Sequence, residues 1–177
     1  MRPHSTKAVL PRLPGVIHHA IEAALLRRNP YLRMVVAPDG VADGAIVVAV
    51  VHAILMIPYV LDGVGVLVAA RVVLYGMVAW ILLSGLVYLI GRHALEGFGS
   101  FPGTMAATSI GQPVLLTALA LAPIMDPLQA LYVVSAWLVA TLWMAARVAL
   151  ELDRGRALIA AIGGWLAYLV VISIFRI

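Results

Sequence analysis

The chain has 177 residues, 64% of them hydrophobic and 11% charged, with a mean hydropathy of +1.07; a soluble domain carries roughly 45–50% apolar and about 25% charged residues. So much apolar surface excludes a water-soluble fold, and the absence of cysteine excludes disulfides, thiolate metal sites and a Cys nucleophile. The net charge of +4 arises from Lys and Arg at the ends of apolar runs, which is the pattern of membrane orientation and not of a phosphate-binding patch, so a nucleic-acid partner is not expected.

Residues 1–15 hold Pro3, Pro11 and Pro14 with Arg2, Lys7 and Arg12, a composition that predicts an irregular basic arm. Their charge is not followed by the apolar stretch and small-residue site of a cleaved signal peptide, so the arm is expected in the mature protein. Between Val16 and Asn29, Ile17, Ile21, Ala24 and Leu25 recur at helical spacing, with His18, His19, Glu22 and Arg27 elsewhere. This predicts a short amphipathic helix on the membrane surface or docked on the bundle, ended by Asn29-Pro30. Pro38-Asp39-Gly40 and Asp43-Gly44 read as turns.

Five spans follow, over residues 44–61, 64–90, 105–125, 128–150 and 157–175, each close to or above the length that crosses a hydrocarbon core of about 30 Å. The Asp62-Gly63-Val64-Gly65 turn makes the first two a hairpin, and Gly65 with Ala69 forms a small-residue pair suited to close helix approach. Arg92 to Gln112, RHALEGFGSFPGTMAATSIGQ, is a polar, glycine-punctuated interruption whose backbone is expected at a bilayer surface. The third span is expected to kink or break at Gln112-Pro113. The predicted architecture is all-α: a polytopic five-span transmembrane bundle over residues 44–177, preceded by an N-terminal part, 1–43, of basic arm and surface helix.

Charge sets the expected orientation. Arg2, Lys7, Arg12, Arg27, Arg28, Arg33, Arg92, Arg147, Arg154 and Arg156 fall on one face of a five-span chain, against Arg71 and Arg176 on the other. Cytoplasmic loops collect such cations, so the N-terminus is expected in the cytoplasm, with a bacterial inner membrane as the expected location.

The polar residues within the apolar runs are the candidate functional positions. Arg71 lies inside the second span, where its side chain either snorkels to the headgroups or pairs with Asp62. His52, midway along the first span, reads as a histidine hydrogen-bonded within the bundle, with ligand and proton carrier as the alternatives. Gln112 and Pro113 mark the broken span, with Thr108 and Ser109 beside them. His18 and His19 lie at helical spacing from Glu22, which reads as a polar face and lacks the ligand set of a metal site. Gly97-Phe98-Gly99-Ser100 lacks the remaining elements of a phosphate loop and reads as a flexible loop. Ser84 has no supporting base in sequence and reads as a packing residue. No catalytic residue, metal site or cofactor is therefore expected.

The succession Glu96-Gly97-Phe98-Gly99-Ser100-Phe101, Gln112-Pro113, Trp137, Arg147 and Leu152-Asp153-Arg154-Gly155-Arg156-Ala157 resembles the bacterial branch of the YIP1 family over the part from Arg92 onward. The resemblance implies a five-span fold with a glycine-rich loop, a Pro-led span and a Trp-containing span ending in a short polar connector. Glu96 stands where the family usually carries the first glycine of a pair. The segment that precedes the first span in the eukaryotic members, which are associated with vesicle-traffic GTPases, is missing here, so GTPase binding is not implied. The expected function is that of a non-enzymatic scaffold or accessory subunit whose partners are the lipid bilayer and other membrane proteins or a second copy. The alternative is a small transporter or channel lined by the broken third span.

Overall fold

Apolar runs that must satisfy their own backbone groups in lipid become helices, and the structure, a computed structural model, is helical throughout, with no strand among the described residues. It describes residues 13–175; the expectations for residues 1–12 and for Arg176 lie outside them. The helices are α1 (Leu13–Ala24), α2 (Arg28–Val36), α3 (Gly40–Leu61), α4 (Val66–Leu89), α5 (Phe101–Ser109), α6 (Thr117–Leu121), α7 (Pro127–Ala149) and α8 (Arg154–Phe175). A π turn over Ile90–Ala94 prolongs α4, and a 3-10 turn over Gln112–Leu116 joins α5 to α6. Counted with these turns, five segments are long and apolar enough to cross a membrane: Gly40–Leu61, Val66–Ala94, Phe101–Leu121, Leu128–Ala149 and Arg154–Ile174. The chain is an integral membrane protein of the expected all-α class.

The first span begins at Gly40, four residues before the expected start. Asp43-Gly44 is helix and not turn, because the Asp43 N–H reaches the Asp39 carbonyl at 2.9 Å and a carboxylate in the first turn suits the positive end of the helix dipole. The third span likewise starts earlier, at Phe101, where the Ser100 hydroxyl accepts the Gly103 N–H at 3.2 Å as an N-cap. The expected surface stretch is therefore loop only before this cap; beyond it, Gly103, Thr104 and Ala106 to Gln112 are buried. The expected break at Gln112-Pro113 is present as the 3-10 turn, since proline cannot supply the N–H that an α-helix would need there.

The N-terminal segment forms two helices where one was expected. The turn after α1 places Leu26 at φ 59°, and Pro30 does not end a helix but sits in the first turn of α2, where a missing N–H is tolerated. Pro14, expected in the irregular arm, lies in the first turn of α1 for the same reason. The hairpin docks on the bundle: the Trp137 indole N–H, near the middle of α7, donates to the Ala24 carbonyl at 2.8 Å. The Tyr31 hydroxyl donates to the Ala23 carbonyl at 2.9 Å, and burial pushes the Tyr31 phenol pKa well above its ordinary value. Of the two expected placements of the apolar face, on the membrane surface or on the bundle, Ile21 and Leu25 are turned outward, while Ala23 is buried. Lipid solvates large apolar side chains as well as a neighbouring helix does, so the small face makes the packed contact.

The third span is the most buried of the five, at half, against 17% of α3 and 22% of the α4 segment. Small residues on α5 let α2, α3, α4 and α7 close around it. At the α3 crossing a Cβ on Gly44 would lie 2.5 Å from the Ser109 hydroxyl oxygen. The expected small-residue pair at Gly65 and Ala69 is not such a contact, since Gly65 is exposed with open space where its Cβ would stand.

Candidate functional site

Of the four sequence candidates, Arg71 is exposed on α4 and makes no ion pair with Asp62 among the described residues. His52 is half-buried on α3, its ring lying against Gly76 of α4 and its Nδ1–H donating to the Val48 carbonyl at 2.9 Å. Gln112 is buried at 4% exposure and Pro113 is half-buried at the break. Among the described residues no hydrogen bond joins any of these four to another. Cavities among the described residues lie under the hairpin, between α3 and α4, and between α7 and α8; Gln112, Pro113, His52 and Arg71 line none of these three.

Beside the break, one set of polar side chains ties α4 to α5 and the other hydroxyls bond within their own helices. The Trp80 indole N–H of α4 donates to the Thr108 hydroxyl at 3.1 Å and to the Met105 carbonyl at 3.2 Å on α5. Ser84 Oγ donates to the Trp80 carbonyl at 2.7 Å and meets Thr108 Oγ1 at 2.6 Å. Ser109 and Thr141 turn their hydroxyls back to Ala106 and Leu138 carbonyls of their own helices, each at 2.7 Å. A buried hydroxyl without a partner would cost free energy, and these are satisfied within protein. Ser84 thus has a carbonyl and a threonine as neighbours, with neither imidazole nor carboxylate in the network to activate it.

The glycine-rich loop is pinned, contrary to the flexible loop expected. Gly97 N–H donates to the Gly91 carbonyl at 2.8 Å and Phe98 N–H to the Leu150 carbonyl at 2.9 Å, while Arg92 Nη1 donates to the Gly97 carbonyl. Gly99 lies directly against the Ala149 carbonyl, an approach that a side chain would block. The Gly97 and Phe98 amides are therefore not free for a phosphate. On the other side of the clasp, Arg156 Nη1 donates to the Leu95 carbonyl at 3.3 Å. Asp153 caps α8 by accepting the Gly155 and Arg156 N–H groups at 2.8 and 3.0 Å. The Arg156 N–H, chief among several causes, holds the Asp153 carboxyl below its usual pKa. Glu96 and Glu151, at the ends of the two clasped segments, stand in the left-handed region at φ 58° and 54°.

The feature that sequence reasoning missed is the cleft beneath the α1–α2 hairpin, a cavity of about 340 Å³. His19 comes from α1, Arg33 from α2 and Asp43 from the first turn of α3, while Met34, Ile46 and Ile110 supply apolar wall. Arg33 Nη1–H donates to His19 Nε2 at 2.6 Å. On α1 the expected polar face is present: His18 lies 3.7 Å from Glu22, and Glu22 pairs with Arg27 at 3.0 Å. Among the described residues no three His, Asp or Glu side chains gather as a metal site would require. Residues 19, 33 and 43 are too far apart in sequence for any local period to join them; only the extra helix α2 does so. No family model, curated protein or solved structure matches the chain.

Proposed function

We propose that this protein is a non-enzymatic membrane scaffold or accessory subunit of YIP1-like architecture, with its Arg-rich end in the cytoplasm of a bacterial inner membrane. The observation that carries the reading is the packing of the broken third span. A solute path needs polar atoms facing a cavity, and here Thr108, Ser84 and Trp80 consume one another's hydrogen-bonding capacity while Gly44 seats against Ser109. The outer surface is correspondingly apolar, with Val72, Leu74 and Val78 exposed on α4, and in lipid such a face serves equally for acyl chains or for another helix.

Three features support the family reading. Glu96 occupies a left-handed backbone position suited to the glycine the family carries there, the glycine loop clasps the connector between α7 and α8, and Gln112-Pro113 opens a new helical segment. The proposed orientation is supported by Arg92, Arg154 and Arg156 lying at loops that meet at one end, where Arg156 reaches the Leu95 carbonyl.

The test is photo-crosslinking in native membranes from unnatural side chains at Val72 and Val78, beside flux measurements in proteoliposomes. The scaffold reading expects a discrete protein adduct, either a second copy or another membrane protein, and vesicles as tight to ions and small solutes as empty ones. Adducts to lipid alone, or sustained solute flux that Thr108→Val abolishes, would overturn it.

A further inference from the structure

We infer that the cleft under the α1–α2 hairpin is a binding site for the headgroup of a zwitterionic aminophospholipid, one carrying both a phosphate and a primary ammonium. The scaffold reading plays no part in this argument.

The cleft combines three charged or polar groups with a mostly apolar wall, and its volume of about 340 Å³ lies at the lower end of the range of small-ligand sites, roughly 300–1,000 Å³. That is room for a headgroup and glycerol, not for whole acyl chains. Arg33 presents a planar fork of N–H donors, the side chain best matched to a phosphate; one of them is engaged by His19 at 2.6 Å, which fixes the direction of the rest. Asp43 lines the same cavity from α3 and makes no ion pair among the described residues. A carboxylate and an arginine lining one cleft complement a ligand bearing both signs of charge. It opposes a purely anionic headgroup, and an ammonium with N–H donors satisfies it better than a quaternary amine.

The apolar wall gives the direction of entry. Ile46 lines the cavity and is also 62% exposed on α3, so the cleft runs out onto the lipid-facing surface there. Ile21, Leu25 and Val36 on the hairpin are exposed as well. An acyl chain leaving past Ile46 stays in hydrocarbon while its headgroup remains between Arg33 and Asp43.

The test is native mass spectrometry of the full chain released from vesicles of equimolar phosphatidylethanolamine, phosphatidylcholine and phosphatidylglycerol. The wild type should retain phosphatidylethanolamine several-fold over either other lipid. Asp43→Asn, at an exposed position, should keep the fold and remove the preference, bringing phosphatidylglycerol and phosphatidylcholine level with phosphatidylethanolamine. Arg33→Gln should lower retention of all three, and unchanged retention in that variant would count against the phosphate assignment. Equal retention of the three lipids by the wild type, preference for phosphatidylglycerol, or a preference that survives Asp43→Asn would overturn the proposal. If Arg33→Gln yields no folded protein, the Asp43→Asn result decides alone.

Discussion

The third span and the second differ in a way that overall hydropathy inverts. The segment Phe101–Leu121 is the least apolar of the five, yet half of it is buried, whereas Val66–Ala94 is far more apolar and 22% buried. In water the most apolar element would take the centre. In lipid, hydrocarbon competes for large apolar side chains, and the centre goes to the helix whose small and hydroxylated residues permit close approach and interhelical hydrogen bonds. Low hydropathy in a spanning helix thus marks the packed core, and α5 with its Gly103, Ala106, Ala107, Thr108 and Ser109 is this protein's case.

That contrast can be broken at several points, each measured by unfolding in detergent. The largest effect is expected where the third span meets α3: Gly44→Val should destabilise by about 3 kcal/mol through overpacking against Ser109, whereas Gly65→Ala, in open space, should change stability by less than about 0.5 kcal/mol. Next is the Tyr31 phenol that fastens the hairpin. Its pKa is raised by burial, so below pH 10 both folded and unfolded chains keep the proton and stability is unaffected. Above pH 10 the unfolded chain loses the proton while the folded one retains it, and stability should fall by about 1.4 kcal/mol per pH unit. Tyr31→Phe should remove that part of the fall, and an unaltered alkaline slope would contradict the buried phenol. Thr108→Val removes one of the two acceptors of the Trp80 N–H and the hydroxyl partner of Ser84, and should cost about 1 kcal/mol. Glu96→Gly relieves a left-handed residue and should stabilise by roughly 0.5–1 kcal/mol. The smallest change is expected from Arg71→Leu on the lipid-facing second span, within about 0.5 kcal/mol.

The spans were legible because an unbroken apolar run has few other fates, and the break was legible because Pro113 cannot donate. The second N-terminal helix was not, since Pro30 and a stretch of only nine residues hide it and tertiary contact, through Tyr31 and against α5 and α7, holds it in place. Gly40 and Gly44, four residues apart, were the available signal of close approach at the start of α3, obscured because Asp43-Gly44 also reads as a turn. The Trp80–Thr108 pairing and the His19, Arg33 and Asp43 cleft join residues from different helices. Periodicity describes one helix at a time, so neither could be read from it.

The most direct test of the five-span architecture uses the natural absence of cysteine. Single cysteines at Asp62, Glu96, Asp126 and Glu151, all exposed in the connections between spans, are treated with a membrane-impermeant thiol reagent in intact cells and again after permeabilisation. The account predicts labelling of the Asp62 and Asp126 variants in intact cells, and of the Glu96 and Glu151 variants only once the membrane is opened. Labelling of Glu96 together with Asp62 from the same side would contradict the crossing by α4, and labelling of Glu151 together with Asp126 would contradict the crossing by α7.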